Sequence, residues 1–157
     1  MEILEKLNYD FDKAKKIFDW VNDDENNGTA TENIPIVSIT EKDGEKGVRL
    51  HAADVDIFIE ANDLDDGKEF TWDKAMKRLE EVGKTTFNKH EGYLIAAFID
   101  EINEKLREIG GKEIEGYYWS STERSHGYAL AVYFSSGGIG NRYKYNSNFI
   151  VRPVAAF

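Results

Sequence analysis

The chain is 157 residues long, 41% hydrophobic and 13% aromatic. Such a chain suits one folded domain with its own core and excludes a disordered polymer. Its net charge of −10 and lack of cysteine exclude disulfides, thiolate zinc sites and cysteine nucleophiles. The acidic balance also argues against nucleic acid, which needs a basic footprint, and against an anionic membrane surface.

The first residues, MEILEKLNYD, are acidic and amphipathic, unlike a secretory signal. No apolar run approaches the ~20 residues that span a bilayer. These features predict synthesis in a cytoplasm without membrane insertion; later display on a virion stays open. Residues 2–21 read as a helix, with Leu4, Leu7, Phe11, Ala14, Phe18 and Val21 at alternating steps of three and four. The stripe fits either a seam between copies of a homo-oligomer or a face that packs on its own domain. Residues 22–33 form a polar acidic loop around Gly28. Its Asp23, Asp24 and Glu25 lack the D-x-D-x-D-G spacing of a calcium loop. Residues 1–33 are therefore expected to be an N-terminal helix and acidic loop, and 34–157 the main domain.

Residues 34–40 and 47–60 are β-branched-rich and partly alternating, which predicts strands, with Lys42-Asp43-Gly44 as a turn. Residues 71–82 are a predicted helix: Thr71 caps it, Trp72, Ala75, Met76, Leu79 and Val82 share a face, and Gly83 ends it. Residues 88–109 predict a second, longer helix. It opens with the capping box Asn88-x-x-Glu91, has a stripe from Leu94 to Ile109, and stops at Gly110-Gly111.

After Gly116 the period changes to two. Residues 117–121, 128–134, 143–145 and 149–154 predict short strands. Along the second, Tyr128, Leu130, Val132 and Phe134 share one face and Ala129, Ala131 and Tyr133 the other. Residues 117–157 hold six of the eight tyrosines and carry one acid, Glu123, against Arg124, Arg142, Lys144 and Arg152. That is a net +3 within a chain of −10, so the rest carries −13. Tyrosine supplies rigid contact area, and the Ser, Gly and Asn around it supply adaptable hydrogen bonding, as in a binding surface. Tyr117 and Tyr118, in an early strand, are as suited to packing as to display.

This segment resembles a known family. WSSTE, then A-x-x-V-x-F-S-S-G, then an Asn/Tyr-rich run, then VRPVAAF is similar to the variable region of proteins diversified by retroelements in phages and gut bacteria. The matching frame residues are Trp119, Ser120, Ser121, Thr122, Glu123, Ala129, Val132, Phe134, Gly137, Lys144, Ser147, Val151, Arg152, Pro153 and Val154. The resemblance covers the chain from about Phe70 onward, and its frame positions Val132 and Phe134 imply that their face points inward, with Ala131 and Tyr133 outward. It implies an α+β, C-type-lectin-like fold with two helices and a short-stranded antiparallel sheet. It also implies a receptor- or adhesin-type function, in which a frame holds interspersed positions that vary by adenine mutagenesis of a template copy. The ligand-binding positions it implies are Arg124, His126, Gly127, Tyr128, Ala131, Tyr133, Asn141, Arg142, Tyr143, Tyr145, Asn146 and Phe149, with Gly138, Gly140 and Ile150 also outside the frame. All are residues that an Asn codon reaches through adenine changes. The implied partner is a protein or glycan on a cell surface, with no cofactor and no metal.

Competing classes have less support. His51, His90 and His126 form no sequence triad, and there is no H-E-x-x-H or G-x-S-x-G, so an enzyme is not expected. The E-P-N loop of calcium-dependent sugar lectins is missing, since the only prolines are Pro35 and Pro153. A calcium-independent glycan binder, or a structural subunit of a phage tail or adhesin with a fixed face, is the alternative reading.

Overall fold

The computed structural model describes residues 35–157. The expectations for residues 2–21 (helix and homo-oligomer seam) and 22–33 lie outside the described residues. The rest is an α+β arrangement of two antiparallel sheets and three helices. Strands β1 (Ile36–Lys42), β2 (Glu45–Ala52) and β3 (Val55–Glu60) form a meander. A one-turn 3-10 segment, Leu64–Gly67, leads to helices α1 (Trp72–Glu81), α2 (Lys89–Ala97) and α3 (Ile99–Glu108). Strands β4 (Tyr117–Glu123), β5 (Tyr128–Tyr133) and β6 (Gly138–Tyr143) make the second sheet, and β7 (Val154–Ala156) returns to pair with β3 in the first.

The β1–β2 turn uses Asp43 and Gly44, both at positive φ, the conformation a two-residue hairpin needs. The strand expected over 47–60 is two strands. Ala53 turns the chain at φ 50 without the glycine or proline that would have announced it. Gly47 is required where β2 crosses under Phe58: a Cβ there would sit 2.5 Å from both the Ile59 carbonyl and the Phe58 ring.

The single helix expected over 88–109 is likewise two. Its capping box forms as the sequence predicts, but Phe98 leaves the helical region at φ −111, ψ 21. The break redirects the chain, because α2 lies against β4 and β5 while α3 lies against β1 and β2. A straight helix cannot serve both sheets. The strand expected over 143–145 is also displaced, since β6 occupies Gly138–Tyr143 and 144–146 is a turn. The glycines of that run look like turn residues, yet they pair with β5 through the backbone alone. Residues 149–153 form isolated bridges to Phe70, Tyr118 and Thr86, rather than the continuous strand expected over 149–154.

There are two apolar clusters. The larger gathers Leu50, Ile59, Phe87, Ile95, Ile102, Leu106, Tyr118, Val132 and Phe134. The smaller gathers Leu64, Phe70, Ala75, Leu79, Trp119, Ala129, Ala131 and Val151. Strand β5 separates them. Val132 and Phe134 face inward as expected, but Ala131 is also buried, at 3% exposure. Its methyl group fits in the smaller cluster with Trp119 and Ala75 of α1, where a larger side chain would overpack the core.

Candidate functional site

The β4–β6 sheet is held by a frame whose side chains reach well beyond it. At WSSTE the register slips between Trp119 and Glu123, so β4 bulges against β5. The bulge is where the helices attach. Ser121 N–H donates to the Phe87 carbonyl at 2.8 Å, Lys89 N–H to Thr122 Oγ1 at 2.8 Å, and Trp72 Nε1–H to the Ser120 carbonyl at 2.9 Å. Inside, Trp119 Nε1–H donates to the Phe70 carbonyl at 2.7 Å and Ser120 Oγ–H to the Leu130 carbonyl at 2.6 Å.

Two buried cations complete the frame. Lys144 is 3% exposed. Its ammonium pairs with Glu123 and lies 4.4 Å from the centre of the Trp72 ring, a cation–π contact. Arg152 is fully buried. Its Nε donates to Asp63 Oδ1 at 2.9 Å, and its other nitrogens donate to the Glu60 and Lys112 carbonyls. Tyr118 donates to the same Asp63 oxygen at 2.8 Å. Burial first, and the Asp63 charge second, push the Tyr118 hydroxyl far above the usual range of a phenol.

The tyrosines are displayed against this frame. Because cross-strand partners share a face, the Tyr128–Tyr143 pair and the Ala129–Arg142 pair point to opposite sides of the sheet. Two aromatic groups result. In one, Tyr128 and Tyr143 meet edge to face at 5.6 Å, Tyr143 and Tyr145 at 5.4 Å, and Tyr145 lies 6.4 Å from the His126 ring. Their exposures are 46% for Tyr128, 42% for Tyr143 and 50% for Tyr145. In the other, Tyr117 stacks between Tyr133 at 4.3 Å and Phe149 at 5.0 Å, with the Arg142 guanidinium 5.4 Å from its ring centre.

No family model matches this chain, and no curated protein matches it.

The twelve sequence-expected site residues therefore do not share a single face. His126, Tyr128, Tyr143 and Tyr145 come together, with Gly127 beside the Tyr143 ring. Tyr133, Arg142 and Phe149 gather around Tyr117. Arg124, Asn141 and Asn146 are exposed, and Ala131 lies in the core. Of the early pair, Tyr118 is buried and Tyr117 is 38% exposed. Among the described residues Arg124 makes no side-chain hydrogen bond or ion pair, and Arg142 bonds only the carbonyl of its neighbour Asn141. Sequence reasoning missed Asp63, which lies in the polar run Asn62-Asp63-Leu64-Asp65-Asp66-Gly67 and carries no local signal of burial. The histidines are dispersed: His51 is in β2, His90 meets Asp54 at 2.8 Å, and His126 precedes β5.

Proposed function

We propose that this chain is a ligand-binding, receptor- or adhesin-type domain of C-type-lectin-like architecture. Its 117–157 surface is diversified by a retroelement to recognise varying partners. One observation carries the reading: the positions that the resemblance implies vary lie at the surface. Of those fifteen positions all but Ala131 are exposed or half-buried, whereas ten of the fifteen frame residues, Trp119, Ser120, Ala129, Val132, Phe134, Lys144, Val151, Arg152, Pro153 and Val154, are buried. A surface meant to vary must place its changes where the fold does not depend on them.

Recognition here involves no chemistry. Tyr128, Tyr143 and Tyr145 present ring faces at steep angles to one another, and Arg124 and Arg142 offer guanidinium groups to carboxylate or carbonyl partners. The ligand is a protein or glycan on a cell surface, and display on a virion suits such a role.

The deciding experiment is to sequence the DNA flanking the gene. A second, non-coding copy of the codons for 117–157, differing only where it carries adenine, beside a reverse-transcriptase gene, is the expected result. Finding neither leaves a fixed face and favours the glycan-binding or structural alternative. At the protein level, Tyr143→Ala with Tyr145→Ala is expected to leave the thermal midpoint in place and weaken ligand binding by ~2 kcal/mol or more per anchoring ring. Loss of folding instead of binding would sink the surface assignment.

A further inference from the structure

We infer that the free edge of β6 takes up an extended, acidic peptide segment of a protein ligand as a further strand of the β4–β6 sheet. The inference rests on the binding-face reading and narrows its ligand to a protein strand that carries a carboxylate side chain.

The order β4-β5-β6 leaves β6 at an edge, and β5 is its one extensive neighbour among the described residues. Gly138–Tyr143 pairs with β5 in unbroken register, without the proline or bulge that commonly blunts an edge. One bond at its end sets the direction of its backbone groups. Lys144 N–H donates to the Gly127 carbonyl at 2.9 Å. The alternation of an antiparallel pair therefore turns Arg142, Gly140 and Gly138 toward β5, and Ile139, Asn141 and Tyr143 away from it. Of the outward groups, the Tyr143 carbonyl accepts from Ser147 N–H and the Asn141 carbonyl from Arg142 Nη1. The Ile139 N–H and carbonyl and the Asn141 and Tyr143 N–H groups have no partner among the described residues. An added strand satisfies such groups through its main chain.

The charge at this edge selects the strand. On the face that carries Arg142, Gly138 and Gly140 present no side chain. The guanidinium lies over Gly140, where a Cβ would be 3.0 Å from Nη1. Apart from the Asn141 carbonyl it has no hydrogen-bond partner among the described residues, and the one acid of residues 117–157, Glu123, is held by Lys144. A side chain facing Gly140 from a neighbouring strand stands ~5 Å away, within reach of that guanidinium, and a carboxylate matches its fork. Salt screens the −10 of the whole chain within about 8 Å, so the charge in contact decides. A second copy of β6 brings no acid and does not fit. Because the main chain supplies the pairing, every β6 position except Ile139 can vary, as the resemblance implies, while the edge stays available.

The test titrates the full chain with the capped heptapeptide TVTETVT, read by amide shifts and amide hydrogen exchange in 1H–15N spectra. The comparison peptides are TVTKTVT and two N-methylated forms of TVTETVT, methylated on the odd or on the even residues. The expected result is saturable shifts at residues 138–143 and slower exchange of the Ile139, Asn141 and Tyr143 amides. Methylation in one register should abolish binding and in the other should leave it, since only alternate residues of a strand face the host. TVTKTVT should bind about fivefold more weakly, and Arg142→Glu should reverse the preference between the two charged peptides. Asn141→Pro removes an outward N–H that the β5 ladder does not use and should abolish saturation; if it fails to fold, Arg142→Glu carries the test. Equal binding by both methylated forms, shifts centred on the β1 edge, or no saturation by TVTETVT would overturn strand addition. The binding-face reading would survive that failure, because the flanking DNA and the Tyr143→Ala, Tyr145→Ala variant judge it separately.

Discussion

The two sheets pair their backbones in the same way and treat their outer side chains differently. The four-stranded sheet keeps its charges at home: Arg49 forks onto Asp56 at 2.7 and 2.8 Å, Lys84 meets Glu60, and Lys42 reaches the Ala156 carbonyl. The segment that carries the three-stranded sheet buries two cations that matter to the fold, Lys144 just after β6 and Arg152 just before β7. Outside, it leaves tyrosines that contact one another and arginines with little to hold. The first sheet ties down Arg49, Asp56 and Glu60 and leaves, of the charged side chains on its strands, only Glu41, Glu45 and Lys46 without a partner among the described residues. The other is complete as a scaffold and incomplete as a surface, which is what a binding face requires.

Breaking the link between the sheets should have the largest effect. Arg152→Ala leaves Asp63 buried and unpaired and frees two carbonyls, so a loss of about 3–5 kcal/mol is expected in urea unfolding. A loss below ~1 kcal/mol would show that the pair is marginal. Next comes Lys144→Met, which keeps the aliphatic stem and removes the contacts to Glu123 and Trp72. About 1–2 kcal/mol of stability should go, and ligand affinity should fall with it, because Lys144 fixes the turn between Tyr143 and Tyr145. Affinity unchanged at reduced stability would show that the tyrosines do not depend on that anchor.

Ala53→Gly should act in the opposite direction. The residue sits at φ 50, where a side chain costs roughly 1 kcal/mol, so a rise in thermal midpoint is expected from the first sheet alone. The smallest effect concerns pH. The hydrogen bond from Arg49 holds Asp56 below the usual carboxylate range. The unfolded chain therefore takes up this proton first. The stabilisation is complete above about pH 4 and disappears as pH falls through the lower, folded-state value. Comparing the thermal midpoints of wild type and Arg49→Gln from pH 6 to pH 2 should show a small gap that closes at the acid end. A gap that widens would reverse the sign of the argument.

Periodicity made much of this architecture legible. The α1 stripe and the α2 capping box follow from residue spacing alone, and spacing also puts Val132 and Phe134 on one face, which the resemblance turns inward. The breaks did not, because their causes lie elsewhere in the chain. Phe98 interrupts a good helical pattern since the two halves serve different sheets, and Ala53 turns without a turn residue. The division of the tyrosines between two sides of a sheet depends on the β5–β6 register, which no local pattern states. Asp63 was illegible for the same reason in stronger form: its partners lie 55 and 89 residues further along.

That separation bears on how the molecule comes to be folded. Strand β3 gains its β7 neighbour, and Asp63 its guanidinium, only after nearly all of the intervening sequence has been organised. Contacts of such long range carry the loop-closure cost that slows folding. Until they form, the open edge of β3 offers backbone donors and acceptors to any passing strand. Rapid early packing of α3 on the first hairpin, followed by a slow final closure, is the expected kinetic order. During that interval the chain is most exposed to self-association, and a substitution within 117–157 is expected to be tolerated only where both grips on Asp63 can still close.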